Sequence, residues 1–207
     1  MRDWLLRFGI YILGIIILSF SVSLIIKADL GAGAWDALNV GLSKTVGFTV
    51  GTWVFIIGFI LIFLNAWIAK ERPMFTAIAT IILIGIAIDF WLINALASWN
   101  PNDLVARIAV FGFALFFLAF GVALYLQSEF PINPIDHLMV VLHVRFNLSI
   151  TVTKTIAEVA ALVLAYIFNG PIGIGTIVIT ILIGPIIGFF NPILKSLLQR
   201  MRTQILA

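Results

Sequence analysis

Residues 27–44 read Lys27-Ala28-Asp29-Leu30-Gly31-Ala32-Gly33-Ala34-Trp35-Asp36-Ala37-Leu38-Asn39-Val40-Gly41-Leu42-Ser43-Lys44. A loop of small residues opens the stretch. About three turns of mostly apolar helix follow, too few to cross a bilayer core about 30 Å thick. One hundred residues further on stands Glu129-Phe130-Pro131-Ile132-Asn133-Pro134-Ile135-Asp136-His137-Leu138-Met139-Val140-Val141-Leu142-His143, on the same plan. There Asn133 suits the N-cap, Pro134 the first helical position and Asp136 the third. The first stretch offers Gly33, Ala34 and Asp36 at those places.

Around these breaks the chain is almost wholly apolar. Of 207 residues 63% are hydrophobic and 10% charged, and the mean hydropathy is +1.21. Soluble domains carry about a quarter charged residues, so the chain is a membrane protein. Apolar runs of spanning length, about 17–25 residues, lie between Arg7 and Lys27, over Val50–Ala69, from about Met74 to Leu96, and over Ile108–Gln127. Asn169-Gly170-Pro171 breaks the last apolar stretch, since proline lacks the amide donor and fixes φ. The fifth helix must therefore start near Ser149 and include Lys154 and Glu158, and the sixth runs from Ile172 to Phe190. After Asn191-Pro192 the tail mixes Leu and Ile with Lys195, Arg200 and Arg202, the pattern of an amphipathic helix on an anionic membrane surface. The opening Arg2-Asp3-Trp4-Leu5-Leu6-Arg7 resembles a signal peptide but lacks a small-residue cleavage site before Lys27, so it reads as a retained first span.

The two halves correspond. At the offset of one hundred, Arg7 meets Arg107, Phe20 meets Phe120, and Asp36 meets Asp136; Leu38, Val40 and Leu42 meet Leu138, Val140 and Leu142. With one residue dropped, Ile82-Leu83-Ile84-Gly85 meets Ile181-Leu182-Ile183-Gly184. Each unit holds three crossings, an odd number, so the halves must face opposite ways. The expected fold is an all-α polytopic membrane protein of six transmembrane helices in a 3+3 inverted repeat, with a half-helix after the first span of each half. It forms a single membrane domain over residues 1–207, with repeats at about 7–99 and 107–193 and the tail at 192–207. Inverted repeats are a common transporter plan, with the site near the midplane between halves.

Lys and Arg set the orientation. With the N-terminus in the cytoplasm, Arg2, Arg7, Lys70, Arg72, Arg145, Lys154, Lys195, Arg200 and Arg202 lie inside. Lys27, Lys44 and Arg107 lie outside, a split of 9 to 3 among the 12 basic residues. Both termini are expected on the cytoplasmic side.

Half-helices are tolerated at membrane depth where they line a cavity, and their N-termini favour anionic groups. The expected solute contacts are therefore Gly31, Gly33, Trp35, Asp36, Asn133, Asp136 and His137. Competing readings stand beside this one. Asp36 and Asp136 could simply cap their helices, the short helices could lie flat at the interface, and the glycines could serve only the turn. Glu158, about 13 Å along the fifth helix, falls near mid-membrane, with Lys154 one turn away at a spacing that permits pairing. Intramembrane ionisable groups are functional by default. Glu158, Lys154 and the more peripheral Asp89 are the candidates for ion or proton coupling; a snorkelling Lys154 and an interfacial Asp89 are the structural alternatives.

The segment Asp29-Leu30-Gly31-Ala32-Gly33-Ala34-Trp35-Asp36, followed by Gly47-Phe48-Thr49-Val50-Gly51-Thr52, resembles the YitT/YczE-like family of bacterial integral membrane proteins. The likeness covers nearly the whole chain as a hydropathy plan and implies a bacterial plasma-membrane location. The absence of a soluble C-terminal domain points to the shorter YczE-type form.

No cysteine, nucleophile–base set, phosphate loop or nucleic-acid motif is present, and the two histidines lack neighbours at metal spacing apart from Asp136. No enzyme, cofactor or metal site is expected. The expected partners are the lipid bilayer and a small polar or anionic solute. A scaffold or regulator that binds a protein partner, or the substrate-binding subunit of a larger uptake complex, is the alternative.

Overall fold

The computed structural model describes residues 2–206, with side chains from Asp3 to Met201. The expected inner placement of the Arg2 and Arg202 side chains, and the chain end at Ala207, lie outside the described residues. Eight helices follow one another: α1 (Arg2–Ala28), α2 (Ala34–Thr45), α3 (Val50–Ala69), α4 (Ala77–Asp89), α5 (Leu104–Leu126), α6 (Pro134–Phe146), α7 (Ile150–Ile167) and α8 (Ile174–Leu206). A π-helical turn, Phe90–Ala95, extends α4. Among the described residues there is no strand. All except α2 and α6 are long and apolar enough to cross a membrane, α4 by virtue of its extension. The protein is an all-helical membrane protein of six spans, and α2 and α6 are the short helices read in the sequence.

Local chemistry sets the boundaries. Thr49 and Ser149 cap α3 and α7 by accepting from the amides of Thr52 and Val152. Asn133 accepts from the Ile135 amide ahead of Pro134, which opens α6, while Gly33 caps α2 without a side-chain bond. Left-handed residues stop several helices, and they recur in the second half. Asp29 (φ 52°) corresponds to Glu129 (58°), Gly47 (101°) to Asn147 (53°), and Lys70 (57°) to Asn169 (53°).

The tail departs from expectation. It is not a separate helix after Asn191-Pro192, because α8 continues unbroken through Pro185 and Pro192 to Leu206. An internal proline costs about 3 kcal/mol. Beyond Pro192 the helix buries Leu194 and Leu198 in a cluster with Ile10 of α1, each burial contributing about 1.5–3 kcal/mol. That packing offsets the break.

Without a hydrophobic force between helices in lipid, close packing of small residues holds the bundle together. At the centre α1 and α5 cross closely. A methyl at Gly14 would stand 2.7 Å from the Tyr125 amide nitrogen, and one at Gly121 would stand 2.8 Å from that of Leu18. The fully buried Ser19, Ser21 and Ser23 donate to carbonyls of their own helix. The short helices exchange partners between halves, α2 lying on α7 and α6 on α3. Two ion pairs also link the halves: Arg7 to Glu129 at 3.2 Å and Arg107 to Asp29 at 3.3 Å. Each arginine holds the left-handed acidic residue at the other half's break.

The seam between α3 and α4 is closed. A Cβ on Gly51 would lie 2.1 Å from the Gly85 carbonyl oxygen, and one on Gly58 would lie 2.6 Å from Ile81. Asp89 completes the seam by accepting from the Gly51 amide at 2.8 Å and the Thr49 hydroxyl at 2.5 Å. A carboxylate at a helix start is stabilised by the free amides and the dipole. Asp89→Asn keeps the size but loses charge-assisted bonds, and is expected to cost about 1.5–3 kcal/mol. Thermal unfolding in detergent measures this.

Candidate functional site

Asp36 and Asp136 are the third residues of their short helices. The Asp36 carboxylate folds back towards its own helix start, so that a Cβ on Gly33 would be 3.2 Å from Oδ2. Asp36 has no hydrogen-bond partner among the described residues. Asp136 accepts a hydrogen bond from the hydroxyl of Tyr125, a buried residue at the end of α5. Glu158 is the ninth residue of α7, at mid-helix. Its charge lies within electrostatic reach of both Asp36 and Asp136, while that of Lys154 reaches Glu158 and Asp136. Four ionisable groups from α2, α6 and α7 are therefore gathered in one region, drawn from both halves. All four are half-buried. Lys154 and Glu158 border a cleft between α7 and α8, and Asp36 and Asp136 stand behind it at the starts of the short helices.

The expected contact pair between Lys154 and Glu158 does not form. The Lys154 ammonium instead turns to α8 and lies 3.5 Å from where a Cβ of Gly184 would be. Around it a cleft of about 390 Å³ separates α7 from α8, lined by Thr151, Lys154, Thr155, Glu158, Thr180 and Gly184 among others.

Trp35 packs with Leu61, Leu138 and Ala157, joining α2, α3, α6 and α7, and its indole nitrogen is buried without a partner. The side-chain oxygens of Asn39 and Asn65, both fully enclosed, are also unpartnered. The amide nitrogen of Asn65 donates to the Pro134 carbonyl at 2.9 Å, pinning the first residue of α6. A buried unpaired polar atom costs about 1–3 kcal/mol, so three of them near the short helices mark a region not built for stability alone. Asn39, Asn65 and Tyr125 were missed in the sequence. The available signal was a lone amide or phenol inside an apolar run, which is costly in a membrane and tends to be functional.

Other expected contacts lie apart from this cluster. Gly31 (φ 109°) is locked backbone to backbone, since its Cβ would meet the Gly173 nitrogen at 2.7 Å. Asn133 is occupied as the α6 cap. His137 faces a different cleft, of about 320 Å³, with Ala69, Glu71 and Arg145. Asp89 is engaged at the α3 start.

Six spans and two short helices define a polytopic integral membrane protein. The chain belongs to the family described as "Family of unknown function (DUF6198)", which matches residues 5–192. It is similar to "Uncharacterized protein YyaS" of Bacillus subtilis, 38% identical over 190 residues that cover 92% of this chain and 94% of that one. It is also similar to "Uncharacterized membrane protein YczE" of the same organism, 32% identical over 194 residues, 92% of this chain and 88% of the other. An "Uncharacterized protein" of Haemophilus influenzae is 28% identical over 193 residues, 93% and 84% of the two chains. The YczE-like resemblance read from residues 29–52 is thereby established. No solved structure matches.

Proposed function

We propose that the protein carries a small polar solute across the bacterial plasma membrane, through a site between two halves of opposite orientation. The observation that carries this reading is the gathering of Asp36, Asp136, Glu158 and Lys154 in one half-buried cluster, with Asp36, Glu158 and Lys154 making no direct hydrogen bond or ion pair among the described residues. Charge held inside a bilayer without a partner destabilises the fold, and its retention is best understood as service to something that binds or passes. The odd number of spans per half, the exchanged short helices and the reciprocal arginine pairs support the inverted relation. The distribution of Lys and Arg supports cytoplasmic termini.

Three carboxylates and one ammonium make up the cluster, and each helix start adds about half a positive charge. Such a lining suits a solute with a cationic group and further hydrogen-bonding or anionic atoms. A bare anion would confront the acids and is the weaker part of the expected class. A scaffold would need a filled, neutral interior, and the partly open acids weigh against it.

The test is a thermal-shift screen of purified protein against small polar metabolites and ions. A solute at about 100 times its dissociation constant adds about 2.7 kcal/mol of stability. The expected outcome is a solute that raises the midpoint of the native protein and raises those of the Asp36→Asn and Asp136→Asn variants clearly less. A screen in which every stabilising solute acts equally on the variants would refute the site.

A further inference from the structure

The seam between α3 and α4 and the cleft between α7 and α8 occupy corresponding places in the two halves, yet they differ. Gly51, Phe55 and Gly58 of α3 correspond to Thr151, Thr155 and Glu158 of α7; Ile81 and Gly85 of α4 correspond to Thr180 and Gly184 of α8. In the first half the contacts of Gly51 with Gly85 and of Gly58 with Ile81 close the helices on each other, and only a surface groove of about 230 Å³ lies outside them. In the second half α7 and α8 scarcely touch, and the cleft of about 390 Å³ lies between them.

The cleft carries Thr151, Lys154, Thr155, Glu158 and Thr180 where the first half has Gly51, Val54, Phe55, Gly58 and Ile81, none with a polar side chain. Thr151, Thr155 and Glu158 descend one face of α7 turn by turn, from the exposed first turn to mid-helix, with Lys154 beside them and Thr180 opposite. Lipid tails filling this space would leave the Lys154 and Glu158 charges against hydrocarbon, at several kcal/mol or more. Water is the filling that chemistry allows. At the bottom, Glu158 lies within reach of the acids at both short-helix starts.

We infer that the α7–α8 cleft is the aqueous access route to the central acids, entered from the face where α7 begins, and that the glycine-sealed α3–α4 seam is its closed counterpart. The route serves the transport reading above and rests on it for its purpose, but its existence is tested without any solute. In this arrangement the site is open to one side only, through the second half, as a carrier requires of each of its states.

The native sequence contains no cysteine, so single cysteines can be placed at Thr151, Thr155 and Thr180 without further changes. Each variant is treated in sealed membrane vesicles of known orientation with a charged, membrane-impermeant methanethiosulfonate. Full labelling after unfolding in detergent serves as the reference. Val163→Cys on the outward face of α7 and Ile81→Cys, buried in the seam against Gly58 where the cleft has Thr180, are the controls. Thiols react as thiolates, which form in water and are suppressed in apolar surroundings, so one unit of pKa difference is about tenfold in rate. Thr151→Cys, Thr155→Cys and Thr180→Cys are expected to label about tenfold or more faster than both controls, from the cytoplasmic side. Labelling of Thr155→Cys and Thr180→Cys no faster than Val163→Cys, or only from the opposite side, would overturn the route and leave the solute screen standing. Fast labelling together with a screen that finds no solute would instead count against the proposed function.

Discussion

Replacing Glu158 by Gln is expected to reduce solute uptake by proteoliposomes at least about tenfold, a change of about 1.4 kcal/mol in effective binding, and to flatten the pH dependence of what remains. Gln keeps the shape and the hydrogen-bonding capacity but cannot gain or lose a proton. Glu158 is the group within reach of Asp36, Asp136 and Lys154 together, so its charge influences every ionisable neighbour in the cluster. Because it has no direct bonding partner in the structure, neutralising it breaks no hydrogen bond, and thermal stability is expected to hold or rise. Activity falling while stability holds is the signature of a functional acid. A Glu158→Gln protein that transports normally, or one that loses uptake because it has lost its fold, would contradict this role.

The largest stability effect is expected at Gly51. A methyl there would meet the Gly85 carbonyl oxygen at 2.1 Å and the Asp89 carboxyl carbon at 2.6 Å. These neighbours are backbone and a carboxylate that is itself bonded to the Gly51 amide, so none can move aside cheaply. Gly51→Ala must part α3 from α4 and release the Asp89 clamp, at an expected cost of about 3–5 kcal/mol. Gly9 provides the comparison, since nothing lies within 4 Å of its Cβ position; Gly9→Ala is expected to stay within about 0.5 kcal/mol of the native protein. Unfolding of the purified variants in detergent, followed by circular dichroism, reads both. Equal midpoints for the two variants would show that the seam gives more readily than its geometry states.

The spans were legible because each is bounded by chemistry that a sequence displays. Ser149 and Thr49 are N-caps, and Asn133-Pro134 announces a helix start. The offset that pairs Arg7 with Arg107 also pairs Asp29 with Glu129, and the two arginines hold those two acids across the halves. The course of the tail was not legible. Asn191-Pro192 carries a helix-breaking signal, and only the burial of Leu194 and Leu198 beside Ile10, a contact across nearly the whole chain, overrides it.

The site was read in part. Asp36, Asp136, Glu158 and Lys154 stood out as charges in apolar surroundings, and the fold brings them to one region. Spacing alone suggested that Lys154 would pair with Glu158, whereas the neighbouring helix decides the rotamer and draws the ammonium to Gly184. Tyr125 corresponds to Ile25 in the first half, so the repeat gave no hint of it. Its bond to Asp136 forms across the turn 127–133 that joins the end of α5 to the start of α6. Asp89 was read as a more peripheral coupling candidate than Glu158, with an interfacial role as the alternative. Its partners at Thr49 and Gly51 lie on another helix, and they assign it to the seam.

The central claim is that one solute meets the starts of both short helices at once. A double-mutant cycle on solute binding tests it most directly, using Asp36→Asn, Asp136→Asn and the combined variant with the solute that best stabilises the native protein. Residues that share a ligand couple by about 0.5–3 kcal/mol, whereas independent sites add to within about 0.3–0.5 kcal/mol. The account predicts a coupling of about 1 kcal/mol or more; strict additivity would place Asp36 and Asp136 in separate sites and contradict it.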